Sequence, residues 1–525
     1  MEEEDNNQTI YPMKKKILFS IGLLFAFLSH GQQVSDALRY GQDELSGTAR
    51  YRALSGAFGA LGGDLTAISY NPAGAAVFTS SSASITTTLM NTNTDSEFFN
   101  GKSSDSKTLL DLNQAGVVLV FNNLNSNSKI KKFTLGFTYD RIANYRNNWF
   151  AQGINPNNSI ANYFLDYAQG NRLDEISAFP DESYSDAYAD IGYYYGYGNQ
   201  QAFLGYESYI IDPDPNDPNA ISNPDAVTSY VSSISGGNYN QQYDYAARGY
   251  NGKIAVNFAA QVGESVYLGL NLNSHFTNYD RSTYFYEGNS NASSTVNRVD
   301  FENNLYTLGY GFSFQLGGIF KVTNGLRLGL VYNSPTWYSI DEETTQYIAT
   351  VRNEGGSNIT QVVNPNVINV FPRYRIQNPG KFTGSLAYVF GEKGLISFDY
   401  SYRDFSNTKF KPTSDSYFRT INNEISNTLT GVSTYRIGGE FKIKQVSLRA
   451  GYRTEESPYK NGSSIGDLTG CSLGVGYSLG KLKFDLTYDY SQLDYNYQFF
   501  ETGLTDPISL QTNNNNITFT ASFSL

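Results

Sequence analysis

The sequence predicts an all-β protein, a transmembrane antiparallel β-barrel of about 14 strands with an N-terminal hatch or plug in its lumen. Three observations carry this. Apolar and polar residues alternate with a period of two in segment after segment, the connections between segments are short and long by turns, and beyond residue 31 no apolar run is long enough for a membrane helix. Composition agrees. Only 16% of the 525 residues are charged and 15% are aromatic, with Tyr 43 and Phe 34 against Trp 2, which is too aromatic for a disordered chain. Mean hydropathy is −0.40, far from that of a helical membrane protein.

Charge and cysteine usage exclude several classes. The net charge of −12 and a pI of ≈ 4.8 argue against a nucleic-acid partner, which asks for a basic face. Cys471 stands alone, so neither an intramolecular disulfide nor a cysteine-based zinc site is expected. Phosphate-binding loops, dinucleotide fingerprints, metal clusters and nucleophile elbows are absent from the sequence, which therefore predicts no cofactor, no metal and no enzyme.

The first element is a leader. Met13-Lys14-Lys15-Lys16, the apolar run Ile17 to Leu28 and Ser29-His30-Gly31 form a basic region, a hydrophobic core of about a dozen residues and a cleavage site. A secretory signal over 13–31 follows, and with it an outer-membrane destination. Glu2, Glu3, Glu4 and Asp5 precede the basic region, so translation is expected to start at Met13, although Met1 stays open.

Residues 32–79 read as the hatch. Small residues dominate Gly47 to Arg50 and Leu54 to Asp64, and Asn71-Pro72-Ala73-Gly74 interrupts any ladder. The barrel is expected over 80–525. Its clearest strand places Leu482, Phe484, Leu486, Tyr488 and Tyr490 on one face and Lys483, Asp485, Thr487 and Asp489 on the other. Ile396 to Arg403 and Val446 to Arg453 alternate likewise.

Short connections fall at Gly263-Glu264, Asn324-Gly325, Gly391 to Gly394, Lys444-Gln445 and Gly480-Lys481. Long polar connections are expected over 92–112, 143–248, 283–298, 340–372, 411–425, 455–466 and 494–512, the second being the principal extracellular loop. Strand centres then lie near 85, 118, 136, 255, 272, 312, 332, 384, 401, 437, 450, 474, 487 and 519. The last strand, Ile517 to Leu525, is amphipathic to its end, as the barrel-assembly machinery requires of a partner. Ala115 to Phe121 is apolar on both faces. Either a plug or apolar site meets its inner face, or the strand is shorter than it looks.

The hatch residues Gly47 to Arg50, Gly56 to Gly63, Asp64 and Asn71-Pro72-Ala73, with the strands Gly325 to Tyr332, Tyr435 to Phe441 and Leu448 to Arg453, make the chain resemble the FadL/TodX family of outer-membrane transport proteins. The resemblance spans nearly the whole mature chain and is thinnest across 143–248. It implies a fourteen-strand barrel with a hatch that includes Arg50, Asp64, Asn71, Pro72 and Ala73. It further implies passive uptake of small hydrophobic compounds, long-chain fatty acids or aromatic hydrocarbons, by loop capture, a lumen pocket and a sideways exit past the hatch. Such a protein would be a monomer partnered by membrane lipid and its ligand. A shuttle or interaction barrel of a protein secretion system is the alternative, and a side-chain-filled lumen would favour it.

Candidate ligand contacts follow. Ile160, Tyr163, Phe164 and Tyr167 recur at helical spacing, and Phe203, Leu204 and Ile210 form a second apolar cluster; such loop residues line a binding groove or pack on one another. Arg436 and Arg449 fall on the lumen phase with Arg403, Glu440, Arg453, Asp485 and Asp489. They either hold a carboxylate or brace the plug. His275, the sole histidine after the leader, is also on the lumen phase, and it matters chemically only beside a serine and a polar orienter.

Overall fold

The computed structural model describes residues 34–125 and 127–525, so the predicted signal 13–31 and the upstream leader lie outside the described residues. Fourteen strands form the barrel: β1 Ser82–Phe98, β2 Gly101–Asn122, β3 Ile130–Asn144, β4 Tyr239–Val262, β5 Val266–Gly288, β6 Val296–Lys321, β7 Leu326–Asn333, β8 Lys381–Val389, β9 Gly394–Asp404, β10 Gly431–Ile443, β11 Val446–Glu455, β12 Leu468–Leu479, β13 Leu482–Gln498 and β14 Pro507–Ser524. Each pairs antiparallel with the next, and β14 closes on β1 from Ser82↔Ser524 to Glu97↔Ser509. Closure leaves every strand with two neighbours, which is how a sheet crosses lipid without an open edge. Each of the fourteen expected centres falls inside a different strand.

The alternation read from sequence sets the two faces. Leu328, Leu386, Phe398, Ile437, Leu448, Leu486 and Phe519 stand exposed on the outside, as a lipid-facing belt requires. A band of tyrosines, including Tyr400, Tyr402, Tyr435, Tyr452 and Tyr488, lies on the same face. Their partners in phase, Asp399, Glu440, Arg449, Asp485 and Thr487, are buried within the lumen.

Several expected loops are strand instead. Over 92–112 the chain runs as a hairpin, with Phe98 opposite Gly101. Most of 283–298, 340–372 and 494–512 is ladder as well, and 411–425 holds the helix Ser416–Thr428. Above the lipid the outer face meets water and the buried inner face carries Thr94, Ser96 and Thr512 among its residues, so Asn- and Thr-rich ladders look like loops in sequence. β7 and β8 break at Pro335 and Pro379, where proline cannot donate to the ladder, and resume as Thr336–Glu354 and Tyr374–Asn378.

Residues 34–79 occupy the lumen as three short helices, α1 Val34–Arg39, α2 Ala49–Ala53 and α3 Leu65–Tyr70, and a 3-10 turn at Pro72–Val77. Side-chain oxygens start each of the last three: Thr48 accepts from Tyr51 N, Asp64 from Thr66 N and Asn71 from Ala73 N. The doubly apolar strand meets this segment from inside. Val118 is fully buried against Leu65, Ile68 and Ala73. Of the loop expected over 143–248, residues 145–238 form a cap of helices, with α4 Ala161–Ala168, α5 Tyr184–Tyr194 and α6 Tyr197–Glu207, on an inner strand Asn147–Asn155 that pairs with β4, whereas 239–248 already belong to β4.

If the outward face is the lipid face, Leu486→Arg should cost about 2–4 kcal/mol near the bilayer midplane. Urea unfolding in lipid vesicles measures it, and an unchanged midpoint would mean that β13 is turned the other way.

Candidate functional site

The plug is seated by a feature of the wall. Six strands place a glycine on the lumen phase where the plug passes. A Cβ at Gly329 would stand 2.3 Å from the Gly59 carbonyl oxygen, at Gly451 2.5 Å from Leu54 C, at Gly438 2.7 Å from Leu54 O and at Gly269 2.3 Å from Pro72 C. At Gly317 the added Cβ would meet the Asn71 side-chain oxygen, and at Gly474 the Ala53 methyl. No side chain fits in these gaps, so the wall must be bare there for the plug to sit.

Charge then fixes orientation. Arg50 Nε donates to Glu440 Oε2 at 2.8 Å, Arg449 Nε donates to the same oxygen at 2.6 Å, and Arg449 Nη1 reaches Asp485 at 2.6 Å. Arg52 makes a two-pronged contact with Asp489, 2.9 Å on each side. Asp399 accepts from the Phe58 and Gly59 backbone N–H groups at 2.9 Å each. Asp43 lies between Lys381 at 2.7 Å and Arg403 at 2.9 Å. Burial raises its proton affinity, but those two cations more than offset this and hold the carboxyl well below the usual range. In this network Arg449 braces. Asp64 and Asn71 cap plug helices, Asn71 Nδ2 also donates to the Gly59 carbonyl at 2.6 Å, and Pro72 and Ala73 pack against β5.

Between plug, wall and cap lies a cavity of about 510 Å³. The lining mixes apolar surface with many charges, and cations are in excess: nine arginines and lysines, among them Arg436, Arg453, Lys253, Lys381 and Arg403, face it against six acids, Asp43, Glu44, Asp140, Glu455, Glu456 and Asp489. Arg436 is held only by hydroxyls, Tyr70 at 3.0 Å and Ser401 at 3.2 Å, and its Nε has no partner among the described residues. The Arg453 Nε is likewise without one, and Asp489 close by is committed to Arg52. A cationic wall with unspent donors suits an anionic group.

The cap residues come together, but as a closed core. Tyr163, Phe164, Phe203, Leu204 and Ile210 are at most 2% exposed. Tyr163 lies against Phe500 and Phe164 against Phe301, at ring separations of 4.5 and 5.5 Å. Tyr167 is half-buried and donates to Glu501. The buried Glu287 carboxylate ties this cap to β5, accepting from Ile160 N at 2.9 Å and Gln241 Nε2 at 2.8 Å. Arg436 and the cap aromatics therefore belong to different places, the cavity wall and the cap core.

One seam interrupts the wall. β2 pairs with β3 only from Gln114↔Asp140 to Asn122↔Lys132. Above this, a bulge at 141–143 carries the chain inward to the strand Asn147–Asn155, and an Arg141–Asp111 ion pair bridges the gap. The seat glycines, Arg52, Asp43 and this bulge were not singled out from sequence. The signal was present for the glycines, since Arg327-x-Gly329, Arg436-x-Gly438 and Arg449-x-Gly451 each put a cation and a bare backbone on the lumen face.

No family model and no curated protein matches the chain. Solved structures do. A FadL homologue of Pseudomonas aeruginosa matches with a TM-score of 0.56 at 10% identity, over 92% of this chain and 99% of that one. The toluene transporter TodX of Pseudomonas putida matches with a TM-score of 0.50 at 11% identity, over 92% and 99%. At such identities the likeness establishes the fold alone, a closed antiparallel β-barrel.

The glycine seat makes its own prediction. Gly451→Val should displace the plug and raise ion conductance in planar bilayers several-fold, whereas Gly384→Ala, with open space around it, should leave conductance unchanged. Equal conductance in both variants would remove the seat's role.

Proposed function

We propose that the protein is a passive outer-membrane channel for small amphiphiles bearing an anionic head group, with long-chain carboxylates as the fitting class. One observation carries this reading: a cavity beside the plug in which Arg453 and Arg436 keep guanidinium donors unspent. An aromatic hydrocarbon meets the apolar part of this wall but would strip water from its charges at a cost of several kcal/mol per ion, of the order set by burying charge. A carboxylate replaces that water with charge-assisted hydrogen bonds.

The route runs from the cap to the cavity and then outward. The fold likeness to a FadL homologue and to a toluene transporter supports a transport role. The seam between β2 and the inner strand supplies the exit, because no ladder hydrogen bonds need to break there and Leu110 and Leu112 flank it on the lipid side. The Arg141–Asp111 pair is the contact that must part. Diffusion down a gradient suffices.

The test uses vesicles containing the barrel. Labelled oleate should enter faster than into empty vesicles, and Arg453→Ala should slow entry about tenfold or more, as loss of a charge-assisted contact implies. Toluene flux should not respond. Oleate entry at the empty-vesicle rate would sink the transport reading and favour the interaction barrel of a secretion system.

A further inference from the structure

His275 and Ser313 face the lumen cavity from adjacent strands, and His275 Nε2 lies 2.7 Å from Ser313 Oγ. The arrangement has the parts of a nucleophile and its base. The Tyr338 hydroxyl is 3.3 Å from His275 Nδ1. The Tyr338 oxygen accepts from Asn251 Nδ2 at 2.9 Å and its hydroxyl can donate to Asn251 Oδ1 at 3.2 Å, so that its second lone pair accepts from Nδ1–H. The imidazole then carries its proton on Nδ1 and presents a lone pair to the serine. Gly311 sits opposite His275 in the β5–β6 register, and a Cβ there would stand 2.7 Å from the Tyr338 ring. The bare position is what lets the tyrosine reach across. Asn273 pairs with Ser313 across the strands and donates to its Oγ at 3.1 Å, and Lys253 is the register partner of His275 on the other side.

We propose that Ser313 and His275 form a nucleophile–base pair that hydrolyses carboxylic esters small enough to enter the lumen cavity. Ser313 Oγ attacks the acyl carbon as its proton passes to His275 Nε2. The oxyanion forms beside the Asn273 amide and the Lys253 ammonium. The C–O bond to the alcohol breaks and the alcohol leaves with the proton from Nε2. Water, deprotonated by the same nitrogen, then attacks the acyl-serine and releases the acid, so that ester and water give carboxylic acid and alcohol with no other reactant. The cationic wall attracts the carboxylate product. The pair does not depend on transport, since an ester reaching the cavity by any path meets the same two atoms.

Diisopropyl fluorophosphate is the probe, applied to the folded barrel in detergent, with folding checked by the faster migration of the unboiled protein. Mass spectrometry of peptides should find one phosphoryl adduct, on Ser313. In His275→Asn the labelling rate should fall at least about 100-fold, the lower end of what a positioned base contributes. Tyr338 is a positioning residue. With p-nitrophenyl butyrate, Tyr338→Phe should lower kcat and leave KM unchanged. A folded wild-type barrel that stays unlabelled, or a His275→Asn variant labelled at the wild-type rate, overturns the proposal.

Discussion

Close contact between the plug and six lumen-facing glycines, four of them against plug backbone, is the constraint on which the rest depends. A barrel of fourteen strands encloses more space than its own side chains fill. Here the excess is taken by residues 34–79, and the fit is between main chains, as at Gly329 against Gly59 and Gly451 against Leu54. Contact that close tolerates no side chain, so the plug has one seat. The buried pairs Arg50–Glu440 and Arg52–Asp489 then select its orientation, because a plug placed otherwise would leave charges buried without partners.

What the plug leaves open follows from where it sits. Its ion pairs take up Glu440 and Asp489, and the cavity that remains is bordered by Arg436 and Arg453, whose Nε atoms have no partner among the described residues. The polarity of that space is thus a residue of how the plug is held. The inward bulge of β3, which opens the wall beside the cavity, sits next to Glu44, whose backbone N–H donates to Ile142. Plug, cavity and seam are therefore one mechanical unit. The cap, by contrast, has its own aromatic core and reaches the barrel through Glu287 and the upper strands.

Much of the barrel was legible in the sequence. Leu482 to Asp489 shows why, since a wall with lipid on one side and charge on the other must alternate. The lumen phase of Arg403, Arg436, Glu440, Arg449, Arg453, Asp485 and Asp489 followed from the same rule. The upper strands were not legible, because their buried inner face carries polar residues such as Thr94, Ser96 and Thr512, and the outer face above the lipid is polar too, so little apolar–polar alternation marks them. Which lumen charges pair is a matter of register between distant strands, so Arg449 as brace and Arg453 as free donor could not be told apart. Tyr163, Phe164 and Phe203 were recognisable as a cluster, but a groove and a self-packed cap use the same residues. The spacing of His275 and Ser313 was invisible for the reason that hides every cross-strand neighbour.

The central claim is that the cavity beside the plug holds an anionic amphiphile. Native mass spectrometry of the barrel released from its own membrane tests it most directly. The account predicts one bound acidic lipid-like molecule per barrel, ejected as an anion on activation. A barrel that flies empty, or that carries only a neutral hydrocarbon, would contradict it.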